Sequence, residues 1–167
     1  MDQDAMSFQD LYKQYAKDVY RFSFWLSGDV AEAKDITSEV FVRAWTATSE
    51  IRNESVKAYL FAIARNQYLQ NIRRKKKFSP IDDEMHDPSL QPDRAAEINS
   101  ELEATLKALQ TLPEIDRTVL IMRAQDELSY EEIARTTGLS ISAVKVKVFR
   151  TRAKLNSLIL SQKGTRS

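Results

Sequence analysis

An all-α fold, two small helical bundles joined by a flexible acidic linker, is predicted for this 167-residue chain by three observations. Apolar residues recur at spacings of three and four along the longer segments, while alternating strand patterns are lacking. Helix breakers are few and fall at boundaries: Gly28, Pro80, Pro88, Pro92, Pro113 and Gly138 separate the periodic segments, and Gly164 lies in the tail. Charge is segregated, because a formal total of +1 hides an acidic block over residues 78–105 in which Asp82, Asp83, Glu84, Asp87, Asp93, Glu97, Glu101 and Glu103 face Arg94 alone.

The first helix, over residues 7–26, follows from the stripe Phe8, Leu11, Tyr15, Val19, Phe22 and Leu26. Ser27, Gly28 and Asp29 end it and open a second, over residues 30–48, whose inner stripe is Ile36, Val40 and Ala44. Asp35, Ser38 and Glu39 lie to one side of that stripe, with Phe41 and Trp45 close by, so apolar side chains go more than halfway round. Such a helix is either buried between two others or carries a binding face in which acids flank aromatic anchors. After a polar loop over residues 49–55, Val56, Leu60, Ile63, Ala64, Tyr68 and Ile72 give a third stripe that runs into Arg73, Arg74, Lys75, Lys76 and Lys77. Cations at a helix C-terminus suit the macrodipole and also make a phosphate-binding end. Upstream, Tyr59, Phe61, Arg65, Asn66 and Tyr68 interleave cation and amide with aromatic rings. That mixture can stack unpaired bases, although aromatic residues on an amphipathic helix are mostly core.

Residues 78–93 hold three prolines and much acid, too little apolar surface to order themselves, and so read as a linker. His86, the sole histidine, falls there with no second ligand or base nearby, and reads as solvated. Helix returns from about residue 95 with Leu102, Leu106, Leu109 and Leu112. Pro113 opens the next helix, with Glu114 and Asp116 at its positive end, and Val119, Leu120 and Met122 carry it to about residue 125.

Residues 129–152 then read as a helix-turn-helix. Ser129 and Glu132 form a capping box, Gly138 supplies a left-handed turn, and Ser140 caps the second helix. Ile133, Ala134, Val144, Val148 and Leu155 face inward, with Leu139 at the turn. The outer face presents Ser142, Lys145, Arg150 and Arg152, with Lys147 at its margin, and residues 140–167 contain seven cations and no acid. A helix of that width and charge fits the DNA major groove, where phosphates take the cationic heads and residues near the N-terminus read base edges.

Cysteine is absent, which excludes disulfides and thiolate metal sites and suits a reducing compartment. The start of the chain, MDQDAMSF, is acidic where a signal peptide is basic, and no apolar run approaches the roughly 18 residues of a membrane span. The expectation is a cytoplasmic protein without membrane insertion, cofactor or catalytic centre. An enzyme would need a nucleophile beside a base or a fixed carboxylate cluster, and the densest acids, Asp82, Asp83, Glu84 and Asp87, lie in the linker. A dimeric helix-turn-helix regulator on a palindromic site explains the second half equally well, but leaves the basic third helix and the acid-flanked second helix without a role.

The stretches DITSEVFVRAW, AYLFAIARNQYLQNIRRKKK and LQTLPEIDRTVLIMRAQDELSYEEIARTTGLSISAVKVKVFRTRAKL, in that order and at this total length, resemble the extracytoplasmic-function group of bacterial sigma factors. The resemblance implies a promoter-specificity subunit, monomeric when free, whose partners are core RNA polymerase, through its β′ clamp and β flap, promoter DNA and an anti-sigma factor. It implies a first domain over residues 1–77, a linker over 78–94 and a second domain over 95–167. By position Asp35, Ser38, Glu39 and Phe41 would meet the clamp. Ile51, Arg52, Asn53, Arg65, Asn66, Arg73 and Arg74 would engage the single-stranded minus 10 element. In the minus 35 duplex Ser142, Lys145 and Phe149 would lie near bases, with Arg150 and Arg152 on phosphate. Gln70, Ala143, Val146 and Lys147 depart from the residues common in the group, and fall at or beside DNA-facing positions.

Overall fold

The structure, a computed structural model, describes residues 7–47, 56–77 and 100–164. Seven α-helices run through them: α1 (Phe8–Ser27), α2 (Val30–Thr46), α3 (Val56–Lys77), α4 (Ser100–Gln110), α5 (Glu114–Ala124), α6 (Tyr130–Thr137) and α7 (Ile141–Gly164). No strand occurs among the described residues. The linker expected over residues 78–94 lies outside them, as does His86.

Local chemistry sets the helix ends. The Ser7 hydroxyl accepts the Asp10 N–H at 3.2 Å and starts α1, and Gly28, at φ 73°, stops it by donating its N–H to the Phe24 carbonyl at 2.7 Å. One residue on, the Asp29 carboxylate accepts the Glu32 N–H at 3.1 Å and starts α2. A Cβ at Gly28 would also stand 2.9 Å from the Gln110 amide nitrogen, so a side chain there would have to displace the end of the Gln110 side chain as well as adopt the left-handed φ. Pro113 is the residue before α5, extended at φ −55° and ψ 146°, and leaves the first turn to Glu114 and Asp116.

Both expected bundles are present, and they are packed on each other. Helices α1, α2 and α3 enclose Val19, Phe22, Leu26, Ile36, Val40, Ala44, Leu60 and Phe61, with the rings of Phe22 and Phe61 stacked at 4.5 Å. The same buried cluster continues without a break into Val119, Ile121 and Met122 of α5, Leu128, Ile133 of α6, and Val144 and Val148 of α7. Helix α1 touches α4 and α5, and α3 touches α6. Leu109, Leu112 and Leu120 form a smaller apolar cluster, on which Trp25 of α1 and Leu155 and Leu158 of α7 pack.

Between α5 and α6 the chain turns through Glu127, which adopts φ 56° although it is not glycine. An L-residue in the left-handed region is strained, and the exposed Glu127 side chain has no packing role to set against the strain. Glu127→Gly is therefore expected to raise stability by about 0.5–1 kcal/mol after the entropy of glycine is discounted. Chemical denaturation of the two proteins side by side measures this, with the midpoint moving up and the m-value unchanged.

Candidate nucleic-acid interface

The helix-turn-helix is built from the local rules its sequence announces. The Ser129 hydroxyl accepts the Glu132 N–H at 3.1 Å while the Glu132 carboxylate accepts the Ser129 N–H at 3.4 Å, so the capping box is closed. Gly138, at φ 78°, terminates α6 with its N–H on the Ala134 carbonyl at 2.8 Å, and the Ser140 hydroxyl accepts the Ala143 N–H at 3.1 Å to begin α7. Ile133, Ala134, Val144 and Val148 are buried where the two helices meet, and Leu139 and Leu155 are partly covered.

Burying Val144, Val148 and Thr151 turns the opposite side of α7 to solvent. Ser142, Lys145, Arg150 and Arg152 are exposed there, and Phe149 is 78% exposed. Val146 shares that side, 45% exposed, while Ile141, one turn before the buried Val144, is 42% exposed at the start of the helix. Two contacts fix the pose. The Lys147 ammonium donates to the Asp116 carboxylate of α5 at 2.7 Å, so this cation turns toward the protein rather than outward. Lys145 sits 5.6 Å from the Tyr130 ring, whose centre also lies 4.3 Å from the Arg123 guanidinium carbon. Arg152 stands at the edge of the outward face and borders a cavity of about 220 Å³ with Trp25, Leu109, Leu120 and Leu155.

On α2, Asp35, Ser38, Val42 and Trp45 follow one another at helical spacing and are exposed, Val42 at 61% and Trp45 at 63%. Glu39 is half-buried at the side of this row. Phe41 is a correction to the expected face: it is 3% exposed, packed edge-on against Tyr12 at 5.0 Å and Phe8 at 6.4 Å, because its position turns toward α1. The ring the surface does offer is Trp45, held edge-on by Phe8 at 4.7 Å. Between α1 and α2 a groove of about 650 Å³ is bordered by Tyr12, Lys17, Arg21, Lys34 and Ser38.

Helix α3 divides the expected single-strand contacts. Asn66, Arg73 and Arg74 are exposed. Arg65 is not free: its Nε donates to Glu114 Oε1 at 2.7 Å and its Nη2 to Glu114 Oε2 at 3.2 Å, and both side chains are less than one-fifth exposed. Phe61 and Tyr68 belong to the core and Tyr59 is partly buried against it, so two of the three rings in the base-stacking mixture are structural. Tyr68 accepts a hydrogen bond from Arg117 at 3.0 Å. Ile51, Arg52 and Asn53 lie outside the described residues. Arg117 was not singled out from the sequence; Glu114 was read only as an acid suited to the start of its helix, and its pairing with Arg65 carries no local sequence signal.

Family models place these elements among known proteins. The model for sigma-70 region 2 matches residues 11–78 and that for sigma-70 region 4 matches residues 102–155. The extracytoplasmic-function RNA polymerase sigma factor SigM of Bacillus subtilis is 30% identical over 158 residues, covering 92% of this chain and 95% of SigM. SigW of the same organism is 31% identical over 169 residues, covering 92% of this chain and 88% of SigW. Among solved structures, the sigma factor RpoE in complex with the anti-sigma factor NepR from Bartonella quintana superposes with a TM-score of 0.77 at 25% identity, over 91% of this chain and 96% of that one. CnrH, solved in complex with the cytosolic domain of CnrY, superposes with a TM-score of 0.68 at 25% identity, over 92% of this chain and 88% of that one.

Two substitutions test the geometry itself. Gly138→Ala meets open space but keeps the left-handed φ, so it should cost about 1 kcal/mol of stability from backbone strain alone. Glu114→Ala strands the half-enclosed Arg65 guanidinium and should cost roughly 1.5–3 kcal/mol. Urea denaturation reads both; a neutral Glu114→Ala would mean that water solvates Arg65 as well as the carboxylate does.

Proposed function

The chain belongs to the extracytoplasmic-function group of the sigma-70 family, and from that premise we propose that it joins core RNA polymerase and directs promoter-specific initiation through the faces described above. Residues 1–77 hold the β′ clamp and the minus 10 element. Residues 78–94 connect, and residues 95–167 meet the β flap and read the minus 35 duplex. The observation that carries the reading is the outward face of α7, where Ser142, Lys145, Phe149, Arg150 and Arg152 are all exposed on a helix whose pose is pinned by Asp116 and Tyr130. Lys145 lies near the start of the helix, where base edges are reached, and its neighbour Phe149 offers a face for a thymine methyl. Arg150 and Arg152 flank this row and take phosphates.

On α2 the clamp meets Asp35, Ser38 and Glu39, with Trp45 and Val42 as the apolar anchors that Phe41 cannot supply. Charge at the rim steers association, and a buried aromatic holds it. At the minus 10 element Asn66, Arg73 and Arg74 are already exposed, and Ile51, Arg52 and Asn53 complete the set. Arg65 joins them only when Glu114 releases it, so the closed arrangement is a reserve form. An anti-sigma factor in the cytoplasm that favours this form would keep the protein from promoters, a role supported by the complex of the similar RpoE with NepR.

Run-off transcription with core polymerase tests the reading. Added protein should switch on defined start sites, and Glu39→Lys should remove at least nine-tenths of the product while the protein remains folded. Lys145→Ala should cost about 1–3 kcal/mol of discrimination at one base pair of the upstream element. Arg150→Ala should weaken all promoters alike and reduce the salt slope of binding by about 0.9. Tight binding of a palindrome by the free protein, with transcription indifferent to it, would support a dimeric regulator instead.

A further inference from the structure

One acid is buried where the two halves meet. Asp126 follows α5, and its side chain is 1% exposed. Its Oδ2 is enclosed and has no hydrogen-bond partner. Its Oδ1 faces the Lys57 ammonium of α3 at 3.9 Å, at the outer limit of an ion pair. Lys57 is shared: it lies 3.4 Å from the Asp126 carbonyl oxygen and 3.8 Å from the Asp18 carboxylate of α1. Arg21 of α1 is the remaining charge acting on Asp126. Two carboxylates from opposite halves thus compete for one ammonium, and the more deeply buried of them is left half satisfied.

We propose that Asp126 is a proton-operated latch between the two halves: protonated, it lets α1 and α3 close over it, and ionised, it favours their separation. The cost of taking a carboxylate out of water falls only on the charged form, and Lys57 is too distant and too shared to cancel it. Burial is the largest cause that pushes the Asp126 pKa from 3.8 to about 7, with Lys57 and Arg21 opposing and Asp18 reinforcing. When the halves part, Asp126 meets water and titrates as an ordinary aspartate, near 4. The closed form therefore holds the proton more tightly. Closure gains as pH falls below about 7, and the gain is complete near 4, where both forms are protonated. Above 7 both forms are ionised, and the burial penalty stays full. Between pH 8 and pH 6 the closed-to-open ratio should rise about tenfold. Arg65 and Glu114 pair across the same seam, so the availability of Arg65 follows the latch.

The absence of cysteine makes the test direct, and it does not depend on which DNA or polymerase the chain engages. Gln9→Cys in α1 and Ser157→Cys in α7, both at exposed positions, carry a dye pair on the full chain, and single-molecule energy transfer counts closed and open molecules from pH 8 to pH 5.5. The wild type should shift toward the closed population as pH falls. Asp126→Asn, neutral and of the same shape, should stay closed and lose the pH response. Asp18→Asn removes a repelling charge and should move the transition to lower pH, whereas Lys57→Gln should move it higher. A closed-to-open ratio that ignores pH in the wild type, or a response that survives in Asp126→Asn, overturns the proposal. If Asp126→Asn does not fold, opposite shifts in the other two variants sustain the proposal, and shifts that are absent or in the same direction overturn it.

Discussion

Arg117 brings a guanidinium into the seam between the two halves, where its two terminal nitrogens find partners and its buried Nε has none. At 5% exposure it donates to the Tyr68 hydroxyl of α3 at 3.0 Å and to the Gln110 side-chain oxygen of α4 at 3.0 Å, with its charge 5.6 Å from the Tyr68 ring centre. Gln110 in turn donates its amide to the Leu26 carbonyl at 3.2 Å, at the end of α1 beside Gly28. A buried cation is costly to enclose and more costly to abandon, so contacts of this kind fix one register between packed surfaces more than they add adhesion. Adhesion comes from the apolar cluster that runs from Phe22 and Phe61 through Val119 and Met122 to Ile133 and Val144.

The seam treats the two surfaces proposed for nucleic acid differently. Arg65, on the side of α3 that meets α5, is neutralised by Glu114, which also accepts the Thr118 hydroxyl at 2.8 Å. The outward face of α7 escapes, because the residues that pack α7 down, Val144, Val148 and Thr151, lie opposite it. Lys147 shows how finely this is divided. Its two neighbours at odd positions, Lys145 and Phe149, point out, while Lys147 turns in to Asp116. The packed protein thus leaves the outward cations of α7 exposed while Arg65 of α3 stays paired with Glu114.

Trp45 and Phe41 carry the same lesson on α2. Both rings look equally available when the helix is considered alone. Helix α1 decides between them, since Phe8 and Tyr12 roof over Phe41 and leave Trp45 standing at the edge. Phe8 covers one edge of Trp45 and leaves the rest of the ring exposed, the disposition that the proposed clamp contact would use.

Much of the fold was legible in the sequence because it is decided within a few residues. Caps at Ser7, Asp29, Ser129 and Ser140, the left-handed turns at Gly28 and Gly138, and stripes at spacings of three and four all depend on neighbours one helical turn away. The outward cations of α7 were legible for the same reason: a stripe that packs inward specifies what faces outward. The status of Arg65, Phe41, Lys147 and Asp126 was not. Arg65 and Glu114 are 49 positions apart, Lys147 and Asp116 are 31 apart, and Lys57 and Asp126 are 69 apart. Periodicity says which side of a helix is apolar without saying which helix will cover it. The sequence alone therefore determined the helices, their ends and the family to which they belong. Which cations stay available and which acid is buried was decided by the tertiary structure, because burial and pairing are properties of faces that meet only when distant segments pack.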